Sequence, residues 1–285
     1  MRAPVQNAKR KTRGARRNHS STTLIKEANM FGAVIGDIVG SRFEFDHDHK
    51  DKAFEFWHET CAFTDDTVCT AAVADILMND LDPAPTLQAW CRDYPGRGYG
   101  GRFSEWVWDD PHRAYHSYGN GAAMRVSPAA YLNRADLDAA LRDARRVTAI
   151  THDHPEGIKG ALATVHAVWL ALNEHAAADI RGVVELEYGY DLSASVDATR
   201  PEYEFNETCQ ETVPQALTCA LESRGVEDAI RNAISIGGDS DTVAAIAGPL
   251  AEALHGIDAA LIETACEKYL DARISDVLLR MYELE

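Results

Sequence analysis

The chain has no Cys-x-x-Cys pair, no long apolar run, no strand-like alternation, and few positive charges beyond its first thirty residues. Each absence excludes something. The six cysteines (Cys61, Cys69, Cys91, Cys209, Cys219 and Cys266) show neither metal spacing with His nor the density of a disulfide framework. A zinc site is therefore not expected, and a reduced, cytoplasmic setting is. No stretch approaches the roughly 18 apolar residues of a membrane span, so no membrane partner is expected. Without strand pairs or sequence repeats, what remains is helix after helix joined by Gly/Pro connections, which points to an all-α, single-domain bundle.

The net charge of −17 hides a division. The first thirty residues hold eight Lys/Arg and one acid; the rest holds twenty basic against forty-four acidic residues. Residues 1–29 lack apolar periodicity and read as a disordered basic tail ahead of a domain at 30–285. Three readings of the tail stand: leader upstream of a start at Met30, a targeting peptide, or a basic arm for an acidic partner. The acidic body argues against non-specific nucleic-acid binding and leaves any anionic substrate in need of a metal or backbone donors.

The segment at 31–41 is an apolar helix with Gly32, Gly36 and Gly40 on one stripe, suited to close helix approach. Its Asp37 is either exposed or an inward carboxylate near a metal. Further helices are expected at 64–80, 86–94, 137–150, 157–174, 180–188, 208–223 and 226–236, and over 257–285, with prolines ending the second helix at 81–85. Residues 46–60 and 189–206 read as connections. Two glycine-rich turns, at 95–103 and 117–121, have the backbone N–H supply that can cradle phosphate. His152 and His154 stand at i, i+2, which is poor spacing for zinc on a helix.

Two stretches share one design. Thr64-Asp65-Asp66-Thr67 and Asp239-Ser240-Asp241-Thr242 each place carboxylates and hydroxyls at the start of a small-residue apolar helix. Either alone is an ordinary capped helix start. Together, four carboxylates at one end of a core cannot all stay ionised without cations. Two hard divalent ions, Mg²⁺ or Mn²⁺, suit such oxygen donors.

Five ordered stretches carry a resemblance: FGAVIGDIVG from Phe31, FTDDTVCTAAVADIL from Phe63, SYGNGAAMRVSP from Ser117, THDHPEGIKGA from Thr151 and GGDSDTVAAIAG from Gly237. They resemble the ADP-ribosylglycohydrolase family, the DraG-like ADP-ribosyl hydrolases. The resemblance implies an all-α fold with a dinuclear Mg²⁺ or Mn²⁺ centre at the helix starts. It implies Thr64, Asp65, Asp66, Asp239, Asp241 and Thr242 as metal ligands. Asp65, Asp66 and Glu44 become candidates for proton transfer. Ser117, Tyr118, Gly119, Asn120 and His152 are expected to hold ADP-ribose, with Gly98, Tyr99, Gly100 and Gly101 on the phosphate side. The implied reaction is hydrolysis at C1″ of the distal ribose of an ADP-ribosylated protein or small molecule, with nucleic acid entering only as an ADP-ribosylated acceptor. Two alternatives stand beside it: an ADP-ribose-binding or toxin-neutralising protein working through its basic arm, and another dinuclear-metal nucleotide hydrolase. Separately from the resemblance, a monomer is expected.

Overall fold

A computed structural model describes residues 24–25, 30–46 and 49–281 of the chain. The fold is helical, as the sequence leads one to expect. In chain order it opens with α1 (Phe31–Gly40), α2 (Asp65–Met78), α3 (Pro83–Asp93), α4 (Gly101–Trp108) and α5 (Gly121–Met124). There follow α6 (Pro128–Leu132), α7 (Leu137–Thr148), α8 (Pro155–Leu172), α9 (Ala177–Tyr188) and α10 (Val196–Thr199). The chain closes with α11 (Cys209–Leu221), α12 (Val226–Ile236), α13 (Ser240–His255), α14 (Ala259–Lys268) and α15 (Ala272–Arg280). Among the described residues, extended pairing is confined to β1 (Leu24–Ile25) against β2 (Ile257–Asp258) and one bridge between Gly119 and Thr208. Leu24 and Ile25 fall within the segment whose composition reads as a disordered tail; the rest of residues 1–29 lie outside the described residues. No described helix is long and apolar enough to cross a membrane.

The centre of the molecule is the pair α1 and α13. Every residue of α1 is buried, and α13 is buried from Ser240 to Glu252. The glycine stripe has the role its spacing suggests. A Cβ placed on Gly36 would lie 2.3 Å from the Ala244 carbonyl oxygen, and one on Gly40 would lie 2.5 Å from the Asp241 Cα. Backbone therefore meets backbone, and the C-terminal end of α1 is pressed against the first turn of α13. Peripheral helices need less burial. α7 buries only Ala140, Ala144, Val147 and Thr148, one stripe at helical spacing.

Several helical boundaries differ from the sequence pattern, and the short α10 lies inside 189–206, the stretch expected as a connection. α3 starts at Pro83, because proline is tolerated in a first turn whose N–H groups have no helical partner. α4 occupies part of the stretch expected as glycine loop, its N-terminus free of a side-chain cap at Gly100. The segment 257–285 breaks between α14 and α15, where the Asp271 carboxylate accepts from the Arg273 and Ile274 N–H groups and starts α15 anew. Residues 282–285 lie outside the described residues.

Candidate active site

The start of α2 is built around Asp37, a carboxylate whose local sequence allows either exposure or burial. It is fully buried and faces inward. It accepts from the Thr64 N–H (2.9 Å) and hydroxyl (2.7 Å), from the Thr67 N–H (3.0 Å), and from the Thr67 hydroxyl. Thr64 and Thr67 thus dock the first turn of α2 onto α1 without engaging the carboxylates of Asp65 or Asp66. Thr64 also caps the helix, accepting from the Asp66 N–H at 3.4 Å. The glycine-rich turn is tied to the same place: the Asp65 N–H donates to the Arg97 carbonyl, while the Arg97 guanidinium sits 3.7 Å over the Phe63 ring.

The start of α13 is positioned differently. Gly237 and Gly238 both have positive φ, a turn that other residues adopt only with strain, and a Cβ on Gly238 would also strike the Tyr203 ring at 2.6 Å. Lys50 fixes the end of α12 by donating to the Ile236 and Tyr203 carbonyls. Asn120 reaches in from the 117–121 turn and donates to Asp239 Oδ2 at 2.6 Å.

The two starts meet. The Thr242 hydroxyl donates to Asp66 Oδ2 at 3.3 Å, joining residues 176 positions apart. The other oxygen, Asp66 Oδ1, is buried without a hydrogen-bond partner. The electrostatics match this crowding. Burial, and then Asp37, Asp65 and Asp239, pushes the Asp66 carboxyl well above its ordinary range. Burial and the neighbouring Asp239 and Asp66 do the same to Asp241. Asp65 is pushed up to about 8 by burial and then Asp37. Glu44, half-buried, is pushed up to about 7 by burial and then Asp239.

These groups line a cavity of about 270 Å³. Of the residues expected from sequence, the cavity wall gathers Glu44, Asp65, Asp66, Asp239, Asp241, Thr242, Gly98, Gly100, Gly101, Ser117, Gly119, Asn120 and His152. Thr64, Tyr99 and Tyr118 are not in that wall. Thr64 stands behind it, engaged with Asp37. Tyr99 turns back, its hydroxyl donating to the Tyr94 carbonyl and its ring stacked on Phe103. Tyr118 is 46% exposed beside His154, with ring centroids 5.1 Å apart. Among the further wall residues, Arg125, Tyr115 and Glu207 stand out as having no role that the sequence pattern assigns. Arg125 lies inside a motif conspicuous for its glycines. Tyr115 lies in a stretch with no recognisable pattern. Glu207 is delivered by the Asn120 N–H, which donates to its carbonyl at 2.7 Å.

Comparison with known proteins agrees with the geometry. The family model for ADP-ribosylglycohydrolase matches residues 27–283. The chain is 28% identical to the ADP-ribosylhydrolase ARH3 of Homo sapiens over 330 residues, covering 86% of this chain and 90% of that protein. It is 25% identical to the ADP-ribosylarginine hydrolase Tri1 of Pseudomonas putida (strain GB-1), covering 80% and 70%. A solved structure described as an ADP-ribosylglycohydrolase-related protein complex shares the fold, with a TM-score of 0.67 and 22% identity over 91% of this chain and 97% of that one. The chain therefore belongs to the ADP-ribosylglycohydrolase family and is an enzyme of the hydrolase class.

Proposed function

We propose that the chain is a metal-dependent ADP-ribosyl hydrolase that cleaves the glycosidic bond at C1″ of the distal ribose and frees ADP-ribose from a modified protein or small molecule. The observation that carries this is the Thr242–Asp66 contact, which merges two acidic helix starts at one cavity wall. Relatives named as ADP-ribosylhydrolase and ADP-ribosylarginine hydrolase support the substrate class.

The donor set suits a hard divalent cation. Asp66 Oδ1 is a buried acceptor in need of a partner, and Asp65, Asp66, Asp241 and Glu44 are all pushed toward protonation. Among the described residues no three His, Cys, Asp or Glu side chains close around one point; Thr242, whose hydroxyl meets Asp66 at the cavity wall, adds an oxygen donor to the proposed set. Asp65, Asp66, Asp239, Asp241, Thr64 and Thr242 would hold two Mg²⁺ or Mn²⁺ ions. When bound, such ions supply positive charge to sugar hydroxyls and acidify a water.

The protein's own groups supply the rest. Glu44 stands at the cavity with a proton affinity near neutrality, the condition for exchanging a proton with water or leaving group. Asn120 orients Asp239. The uncapped first turn of α4 directs backbone N–H groups from Gly101 onward, which suits a diphosphate inside an acidic protein. The proposed setting is a cytoplasmic monomer, in which the six free thiols remain reduced.

Asp241→Asn tests the proposal. Hydrolysis of a defined ADP-ribosylated substrate should vanish, with the helical signal retained, and a chelator should silence the wild type until Mg²⁺ or Mn²⁺ is restored. Full activity in either case would sink the metal reading. Release of inorganic phosphate instead of ADP-ribose would point to a nucleotide phosphohydrolase.

A further inference from the structure

At the cavity wall, Arg125 and His152, with Thr151 behind them, form a buried set outside the acidic cluster. Their exposures are 1%, 0% and 5%. Arg125 Nη2 lies 2.6 Å from Thr151 Oγ1 and 3.3 Å from His152 Nδ1, and Thr151 Oγ1 lies 2.7 Å from the same Nδ1. A guanidinium only donates. Thr151 Oγ1 therefore accepts from Arg125; because Nη2 also faces Nδ1, which can accept from it only when unprotonated, the Thr151 proton turns to Nδ1. A ring nitrogen that receives donors carries no proton, so in the neutral ring the proton sits on Nε2.

Nε2 points toward the substrate turn. A Cβ built on Gly121 would lie 3.4 Å from it and one on Gly119 would lie 3.6 Å away. Gly119, Gly121, Arg125 and His152 all line the cavity. Burial and then the Arg125 charge hold the imidazole well below its usual protonation range, consistent with a neutral donor.

We infer that Arg125 is a positioning residue that, with Thr151, locks His152 as an Nε2–H donor aimed at an oxygen of bound ADP-ribose. The ligand in this statement rests on the function proposed above; the tautomer does not. Arg125 also ends α5, so a role confined to packing is the competing account.

The experiment is ¹⁵N NMR of histidine-labelled full-length protein at pH 7, with His152 assigned through His152→Gln. Wild type, Arg125→Lys, Arg125→Met and Thr151→Val are compared, each also titrated with ADP-ribose in the presence of Mg²⁺. Wild type should show an unprotonated Nδ1 and a protonated Nε2. Thr151→Val and Arg125→Met should bring the two nitrogen signals together, while Arg125→Lys, which still donates, keeps them apart. Loss of one oriented hydrogen bond should weaken ADP-ribose binding by about tenfold in Thr151→Val. A protonated Nδ1 in wild type overturns the inference, as do folded Thr151→Val and Arg125→Met proteins with the wild-type pattern. An intact Nε2–H tautomer in a wild type that does not bind ADP-ribose supports the lock and overturns the ligand, and with it the proposed function.

Discussion

The starts of α2 and α13 are near-copies in sequence and opposites in construction. At α2, one buried carboxylate, Asp37, gathers two backbone N–H groups and two threonine hydroxyls, so the turn is held by hydrogen bonds. At α13, glycines in α1 let two backbones touch, so the turn is held by packing, with Asn120 as its polar guide. The same acidic signature is thus presented by one support sensitive to charge and another sensitive to volume. Perturbations of the two kinds should separate them.

The largest effect is expected where the two starts meet. Asp66→Asn should cut hydrolysis by on the order of 10³-fold or more, since losing a ligand of the proposed metal centre would forfeit several kcal/mol of transition-state stabilisation. Circular dichroism should stay that of the wild type; retained turnover would separate the α2 carboxylates from the chemistry. Next comes volume. Gly36→Ala puts a methyl 2.3 Å from the Ala244 carbonyl oxygen and should destabilise by about 1–3 kcal/mol, read as a lower Tm. Gly182 in α9 has open space where an alanine methyl would stand, so Gly182→Ala should be neutral or stabilising by about 0.5–1 kcal/mol. Equal Tm changes at both positions would contradict the packed support.

Charge should act on the other start. Asp37→Asn replaces an acceptor of four donors with a group that itself donates, and should weaken Mn²⁺ affinity by roughly 10–100-fold, as loss of a ligand's supporting hydrogen bonds does. Calorimetric titration reads this directly. Asn120→Ala should produce a milder loss near the low end of that span, about tenfold, because α13 keeps its packing. A larger effect for Asn120→Ala than for Asp37→Asn would invert the comparison.

The smallest effect is in pH. For these carboxyls the folded-state proton affinity is raised above that of the unfolded chain. The stability they favour is present below the ordinary carboxylate range and is lost as pH rises through about 7 for Glu44 and about 8 for Asp65. In chelator, Tm should therefore fall between pH 5 and pH 8, and saturating Mg²⁺ should offset the fall at the upper end. A chelated protein that gains stability over that interval would contradict the crowding of carboxylates.

Much of the site is legible in the chain because it is local. The two Asp/Thr runs, the glycine spacing of α1 and the turn around Gly119 are short patterns whose physics lies within a few residues. What is not legible depends on distance. Asp37 could face solvent or core; its partners Thr64 and Thr67 lie 27 and 30 residues away. Glu207 reaches the cavity beside Asn120, whose N–H donates to its carbonyl from 87 positions away in the chain. Arg125 is hidden in a motif conspicuous for its glycines, and its partners lie 26 and 27 residues on. Tyr99 and Tyr118 show the reverse: the turns that carry them reach the cavity, while their side chains go elsewhere.

The central claim is that both helix starts serve one divalent-metal centre. Calorimetric titration of chelator-treated protein with Mn²⁺ tests it most directly, run on wild type, Asp66→Asn and Asp241→Asn. Two ions per chain in the wild type, and weakened binding in each variant although the substitutions sit on different helices, is the predicted result. No saturable binding by folded wild type, or wild-type binding by either variant, would contradict it.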